Sequence, residues 1–336
     1  MNLLHNLQSR IIKGGGNGTP EDRTISKLRT LSGQDVSRLC FGAMQFGGAA
    51  DEGASRSMYD ACRASGINFF DTAHVYNEGR AERLLGSFAS ADRKDVLIAT
   101  KVGYSGGSGR TNVMRQFEES RRRLGLDIVD ILYLHRWDDG TELEETFDTL
   151  AELKAAGAIR YIGVSNFAAW QIMKAQAVAW SRGLGIDIIQ PMHSLIKRQA
   201  EVEIFPMALS EGFAVASYSP LAAGLLTGKY ESGGTGRLTE DARYGARYGQ
   251  SWMRTSSEDF AKLANENGVP PATMAVAWVA HNPAVTAPII SARNLDQLTP
   301  SLAALEYELT DDLYERIGAL SPRPAPATDR LEEASV

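Results

Sequence analysis

Four residues of this chain, Asp71, Tyr76, Lys101 and His135, have the side chains and the settings for proton transfer at a carbonyl oxygen. Asp71 and Tyr76 share the stretch Phe69-Phe70-Asp71-Thr72-Ala73-His74-Val75-Tyr76, which puts a carboxylate at the end of a short apolar run and a phenol one turn further on. Lys101 follows Val96-Leu97-Ile98-Ala99-Thr100, and His135 follows Asp130-Ile131-Leu132-Tyr133-Leu134. An unperturbed phenol ionises near a pH of about 10. A neighbouring ammonium favours the phenolate, so a tyrosine beside a lysine is expected to give up and recover a proton nearer neutral pH. A shift of about two units corresponds to about 2.7 kcal/mol between the two protonation states. Asp71 would hold Lys101 charged and in place, and His135 would orient the carbonyl oxygen by donating a hydrogen bond. The four make no metal cage, because lysine is a poor ligand and one imidazole is present. No serine stands beside His135 in sequence to form an acyl-transfer triad.

Each of these polar residues closes a strand-like run or follows one closely, so their placement depends on how the runs are assembled. Eight runs are expected, over 38–41, 68–70, 96–100, 129–134, 160–164, 187–189, 214–216 and 287–290. Helical patterns lie between and after them, over 54–65, 79–88, 112–124, 142–156, 168–179, 201–209, 257–267, 271–281, 295–305 and from 310. In 142–156, Leu143, Phe147, Leu150 and Leu153 fall at helical spacing. Repeated strand-to-helix alternation predicts parallel strands with right-handed crossovers. Eight units in about 300 residues favour a closed (β/α)8 TIM barrel over an open doubly wound sheet. The open sheet would also want a glycine-rich dinucleotide turn, and Gly42-Ala43-Met44-Gln45-Phe46-Gly47 has no G-x-G-x-x-G.

The expected organisation is a flexible extension over 1–26, a barrel over 27–320 and a tail over 321–336, with a hairpin before Ser37 capping the barrel bottom. The polar, glycine-rich tract 231–249 reads as one long connection. In such a barrel the catalytic groups gather at the carboxyl ends of the strands. The residues at those ends are Asp71, Lys101, His135, Ser165 with Asn166, Gln190, Tyr218 and Ser291, taken from strands two to eight in order. A polar residue at the same end of seven strands points to one shared site.

Composition narrows the function classes. The chain has 336 residues, 43% hydrophobic and 23% charged, with a net charge of −6, which argues against a nucleic-acid surface. Arg121-Arg122-Arg123 follows Glu118-Glu119 on an expected helix and reads as a solvated face. Cys40 and Cys62 lack C-x-x-C spacing and read as small core residues in a reduced cytoplasm. No apolar run reaches the roughly 18 residues needed to span a bilayer, so no membrane partner is expected. The start of the chain lacks a charged segment followed by an apolar core, which fits a cytoplasmic protein and makes Asn17-Gly18-Thr19 a chance glycosylation match. A glycosidase would need paired carboxylates, and Asp71 is the one strong strand-end carboxylate.

The chain resembles the aldo-keto reductases, a (β/α)8-barrel family that uses NADPH to reduce aldehydes and ketones. The resemblance covers about residues 27–319. It rests on Phe70-Asp71-Thr72-Ala73 with Tyr76, Thr100-Lys101, Leu134-His135-Arg136-Trp137-Asp138 and Ile162-Gly163-Val164-Ser165-Asn166-Phe167. Tyr218-Ser219-Pro220-Leu221, Gly224-Leu225-Leu226-Thr227-Gly228-Lys229 and Ser291-Ala292-Arg293 add to it.

The resemblance implies that Tyr76 is the general acid, that Lys101 and Asp71 tune it, and that His135 positions the substrate carbonyl. It implies NADP(H) as cofactor, with Ser165, Asn166 and Gln190 on the nicotinamide carboxamide and Tyr218 stacked on the ring. Ser219, Leu221, Gly224 and Lys229 would line the pyrophosphate, with Ser291 and Gln297 also at the cofactor. Arg293 would meet the adenosine 2′-phosphate through charge-assisted hydrogen bonds. Pro300 and Ser301 stand where similar sequences carry a Glu and an Asn that grip the adenine, and His193 stands where a Tyr is usual. His193 is expected to pack beneath the cofactor end of its strand.

The substrate is expected to be a small carbonyl compound or alcohol. Met44, Phe46, Trp137, Trp252 and Met253 are candidate apolar walls, Arg136 and Asp138 candidate polar selectors, and Tyr244 and Tyr248 candidate covers in the long loop. Carbonyl reduction is the first functional reading, the same chemistry run as alcohol oxidation the second. The third is a redox-sensing, NADP(H)-binding regulatory subunit with slow turnover, as in similar barrels attached to channels.

Overall fold

Alternate residues of a strand face opposite sides, and this parity decides which side chains meet inside the molecule. A computed structural model describes residues 27–230 and 233–332. Its eight strands are β1 (Cys40–Gly42), β2 (Phe69–Asp71), β3 (Leu97–Val102), β4 (Val129–Leu134), β5 (Ile159–Ser165), β6 (Ile188–Gln190), β7 (Ala214–Val215) and β8 (Ile289–Ile290). They form one sheet in the order β7-β6-β5-β4-β3-β2-β1-β8, every ladder parallel. The remaining seam closes just past β7, where the N–H groups of Ala287 and Ile289 donate to the carbonyls of Val215 (3.1 Å) and Ser217 (2.8 Å). Tyr218 and Ile289 form a parallel bridge there. The expected closed barrel is borne out.

Phe69, Leu97, Ala99, Ile131 and Tyr133 belong to the cluster that fills the barrel. Their neighbours Phe70, Ile98 and Leu132 belong to the larger cluster between strands and helices. Parity therefore turns Asp71, Lys101 and His135 inward and Thr100 outward. The outer ring comprises α1 (Glu52–Ala64), α2 (Arg80–Ala89), α3 (Arg110–Leu124), α4 (Leu143–Ala155), α5 (Ala169–Trp180) and α6 (Ile204–Glu211). It continues with α9 (Ser251–Glu266), α10 (Pro271–His281), α11 (Leu295–Leu302) and α12 (Asp311–Gly318), while α7 (Arg237–Glu240) and α8 (Ala242–Tyr248) lie in the connection between β7 and α9. The Leu143, Phe147, Leu150 and Leu153 stripe of α4 is buried, as its spacing predicts. Asp51 caps α1 by accepting from the Ala54 N–H at 2.8 Å. Gly86 lets α2 approach α3, since a Cβ there would overlap the Leu124 carbonyl.

At the amino end of the barrel, Arg29 and Asp35 pair in an antiparallel bridge and through an ion pair of 2.7 Å. Leu28 enters the interior cluster there, so the expected hairpin plugs the bottom. The structure departs from expectation at several ends. β3, β5 and β6 run on to include Lys101, Ser165 and Gln190, because these polar residues still lie in register with Tyr133 and with one another. The tract 231–249 contains α7 and α8. The Asp241 side chain accepts from the Arg243 N–H at 3.0 Å and starts α8, a local signal that the tract's glycine content obscured. α9 begins at Ser251 rather than 257. The expected flexible extension, 1–26, lies outside the described residues, and among the described residues no helix is long and apolar enough to cross a membrane.

Candidate active site

The register of β2, β3 and β4 stacks the inward polar groups. Asp71 pairs with Ala99, so Lys101 sits one inward step higher and its chain reaches back down. Its ammonium, buried at 1% exposure, bonds the Asp71 carboxylate and donates to the Thr72 carbonyl at 2.8 Å. Burial works against this ammonium, but Asp71 and Tyr76 together outweigh it and the Lys101 pKa is raised. Nζ lies 5.1 Å from the centroid of the Tyr76 ring. That ring meets the His135 imidazole edge to face at 5.9 Å. Burial, then Lys101 and Arg136, depress His135 to a pKa of about 3, so its ring is neutral at ordinary pH. Its buried Nδ1 has no partner among the described residues.

Tyr76 differs from expectation. Lys101 does pull its pKa down, but burial is the larger effect and Asp71 adds to it, so the phenol is raised above its ordinary value. It is fixed by a tight turn in which Asn77 (φ 48), Glu78 (φ 57) and Gly79 (φ 81) are all left-handed. Two of these are not glycine, and such backbone persists only where its surroundings hold it. Asn77 Nδ2 supplies part of that hold by donating to the carbonyls of Met44 and Phe46, both at 2.8 Å.

A hydrogen-bonded path joins this group to the ends of β5, β6 and β7. Gln190 Nε2 donates to Asp71 Oδ2 at 3.0 Å, and Ser165 Oγ donates to the Gln190 carbonyl at 3.0 Å. Asn166 Nδ2 donates to Ser165 Oγ (3.1 Å) and to the His135 carbonyl (2.9 Å), and the Tyr218 hydroxyl donates to Asn166 Oδ1 at 2.7 Å. Beyond Tyr218 the backbone is left-handed at Ser219 (φ 64), Ala222 (φ 48), Ala223 (φ 59) and Gly224 (φ 90), and the turn is held by the Ala222 N–H donating to the Ser219 carbonyl at 2.9 Å and the Gly224 N–H donating to the Leu221 carbonyl at 2.8 Å. Leu221 is half-buried within it. Lys229 packs back on Gly224, where a Cβ would lie 2.9 Å from its Cε. At the end of β8 the buried Ser291 hydroxyl has no partner among the described residues. Arg293 is ion-paired to Glu240 at 2.9 Å, and its N–H donates to Gln297 Oε1 at 3.2 Å. An orphan hydroxyl, a left-handed loop and two flanking cations fit a phosphorylated dinucleotide.

The model of the aldo/keto reductase family matches residues 38–322. The chain belongs to this family. It is 35% identical to the uncharacterized oxidoreductase YrpG of Bacillus subtilis, over 88% of this chain and 96% of that protein. It is 34% identical to a probable voltage-gated potassium channel subunit beta of Oryza sativa, over 86% of this chain and 94% of that protein. It is also 31% identical to norsolorinic acid reductase B of Dothistroma septosporum, over 85% of this chain and 79% of that protein. The protein is thus an oxidoreductase with the family's general chemistry, NADPH-dependent interconversion of carbonyls and alcohols.

Several residues lie elsewhere than this reductase's sequence led one to expect. Phe46 (0% exposed) and Met253 (2%) are core and not pocket walls; Phe46 packs on Phe41 and Phe88. Met44, Trp137 and Trp252 are half-buried. Trp137 meets Phe167 at 5.2 Å and Trp170 at 5.6 Å, whereas Trp252 bonds Gln250. Asp138 accepts from Ser108, Gly140 and Thr141 and so braces loops. His193 is sealed, bonded to Glu201 at 2.8 Å and stacked on Trp278, in line with the packing expectation. Ser301 is buried at 1%, and the Pro300 carbonyl accepts from Thr273 Oγ1 at 2.7 Å. Arg123 is not on a solvated face; it is 14% exposed and bonded inward. Tyr104 went unrecognised in the sequence. Its ring lies 4.9 Å from that of His135 and carries the Arg136 guanidinium at 5.1 Å. The signal was present, an aromatic just past the end of β3, as Tyr76 is just past β2.

Proposed function

We propose that this protein reduces a carbonyl compound with NADPH, Tyr76 protonating the carbonyl oxygen. The observation that carries the reading is the placing of Tyr76 between a buried, ion-paired Lys101 and a neutral His135. The dinucleotide, when bound, supplies the hydride. A neutral imidazole offers one N–H to the carbonyl oxygen and fixes its direction without competing as the acid. As the proton leaves Tyr76, the nearby ammonium stabilises the phenolate in a water-poor site. Asp71 keeps that ammonium charged. Because Gln190 spends its Nε2 on Asp71, its Oε1 remains an acceptor for the amide donors of a carboxamide. Asn166 fixes the Tyr218 hydroxyl, which presents the ring face for stacking. Ser219, Gly224 and Lys229 would hold the pyrophosphate and Arg293 the 2′-phosphate.

The raised Tyr76 pKa keeps the phenol protonated at neutral pH and favours reduction there, with alcohol oxidation strengthening as pH rises. Tyr104 and Trp137, with Trp170 (61% exposed), supply aromatic surface past the strand ends and favour an aromatic carbonyl substrate. We place the activity in the cytoplasm, where the buried thiols of Cys40 and Cys62 stay reduced.

The resemblance to proteins named potassium channel beta subunits supports a second reading, a slow NADP(H)-binding regulatory subunit. NADPH oxidation followed by absorbance over a panel of aromatic and aliphatic aldehydes separates the two. Turnover with some aldehyde is expected, with Tyr76→Phe slowing it by about 100-fold or more while NADPH binding holds. Binding without turnover across the panel moves the function to the regulatory reading, and a fully active Tyr76→Phe enzyme refutes the proton donor.

A further inference from the structure

Between α2 and α3, outside the barrel wall, one guanidinium is gripped by acceptors from three segments. Arg123 Nη1 donates to the His74 carbonyl at 2.9 Å and to Glu82 Oε2 at 3.1 Å, and Nη2 donates to Glu119 Oε1 at 2.5 Å. Glu82 has no exposed surface, and its second oxygen accepts from Thr100 Oγ1 at 2.7 Å. Thr100 precedes Lys101 and, by strand parity, points out where Lys101 points in. Glu119 completes the group by bonding His74 Nε2 at 2.9 Å. Gly79 lies so close to the Arg123 side chain that a Cβ would overlap it.

Arg123 therefore touches the Tyr76 turn on both sides, at His74 before the tyrosine and at Gly79 after it. Through Glu82 and Thr100 it also reaches the strand that carries Lys101. The turn it touches holds two non-glycine residues in left-handed backbone, a form that needs outside support. We propose that Arg123, together with Glu82, is a positioning residue that sets the separation of the Tyr76 phenol and the Lys101 ammonium from outside the barrel. This rests on the reading of Tyr76 as proton donor. A buried ion pair adds little stability over apolar residues of equal volume, whereas a planar guanidinium bonded to several segments fixes their relative geometry.

The test uses Arg123→Ala, Arg123→Lys and Glu82→Gln in the full chain. It measures NADPH affinity by fluorescence, kcat and KM for an aldehyde, the pH profile of alcohol oxidation, and Tm. Arg123→Ala is expected to lower kcat by about tenfold or more, since small misplacements of reacting groups are costly. NADPH affinity should stay within about twofold, because the cofactor path lies on the far strands. The alkaline pKa of oxidation should move up as the ammonium's pull weakens with distance. Added guanidinium ion should restore part of the Arg123→Ala rate, and Arg123→Lys should stay slow because one ammonium cannot span these acceptors.

Unchanged kcat and pH profile overturn the proposal. So does a fall in kcat that only tracks Tm and cofactor affinity with the pKa unmoved, which marks a structural role. Should Arg123→Ala not fold, Glu82→Gln keeps the volume and is expected to show the same upward pKa displacement; an unmoved profile there counts against the proposal equally. Arg123 variants that behave as parent while Tyr76→Phe is inactive remove this inference alone, whereas an active Tyr76→Phe removes the reading beneath it.

Discussion

Replacing Asp71 with Asn removes one charge from the pair on which the site is built and leaves its shape. Asp71 is 3% exposed and Lys101 1%; one carboxylate oxygen takes the ammonium and the other takes Gln190 Nε2 at 3.0 Å. Asparagine turns one of these acceptors into a donor, so an N–H must face either the ammonium or the Gln190 amide. Breaking one partner out of a buried pair costs about 3–5 kcal/mol, because the other charge is left uncompensated. For a domain of this size that lowers Tm on the order of 10 °C.

The pH dependence of that loss gives the sharper test. In the parent the folded Lys101 pKa is raised, so the pair stabilises below the unfolded value of about 10.4 and is lost as pH climbs through the folded value. With Asp71 neutral, burial becomes the leading influence on Lys101 and its folded pKa falls below about 10.4. Between the two values the unfolded chain holds more protons, so the variant gains stability as pH rises. Thermal scans at one heating rate, from about pH 6 to about pH 9, should show a Tm deficit that narrows with pH. A variant with the parental Tm, or a deficit that does not change with pH, refutes the account of the pair.

Three further outcomes are expected. Because His135 stays neutral down to a pKa of about 3, kcat/KM should show no inflection near about 6.5; one that disappears in His135→Gln would count against its neutral role. Arg293→Ala should weaken NADPH binding and leave NADH unaffected, whereas Glu240→Gln, which releases Arg293 from its 2.9 Å ion pair, should tighten NADPH by up to about fivefold. Fluorescence titration reads both, and equal effects on the two cofactors would remove Arg293 from the 2′-phosphate. Gly163→Ala puts a Cβ into the ring of Tyr133, whose centroid is 5.9 Å from Lys101 Nζ, and should cost about 1–3 kcal/mol of stability in denaturant unfolding. A parental midpoint would show that Tyr133 moves freely.

Much of the fold was legible because its signals are local. The pattern of 129–134 became β4 with the same ends, and that of 271–281 became α10 with the same ends, since each rests on a run of neighbouring residues. Pocket walls were less legible. Nothing near Phe46 or Met253 in sequence tells whether a neighbouring element covers them, and both turned out to be core. The inward role of Arg123 was hidden in the same way: three consecutive arginines look alike until α2 packs against one of them. α8 was missed because its one capping residue, Asp241, stands in a tract whose glycines argue for a loop.

By itself, the sequence determined the order of the elements and the residue types at the strand ends. Strand parity then turned Asp71, Lys101 and His135 to the same side of the wall, because the alternation is a property of adjacent residues. The tertiary structure alone decided how tightly Tyr76 and His135 hold a proton. Burial raised Tyr76 against the pull of Lys101 and brought His135 down to about 3, and burial depends on which distant segments pack over a group, which no local pattern records.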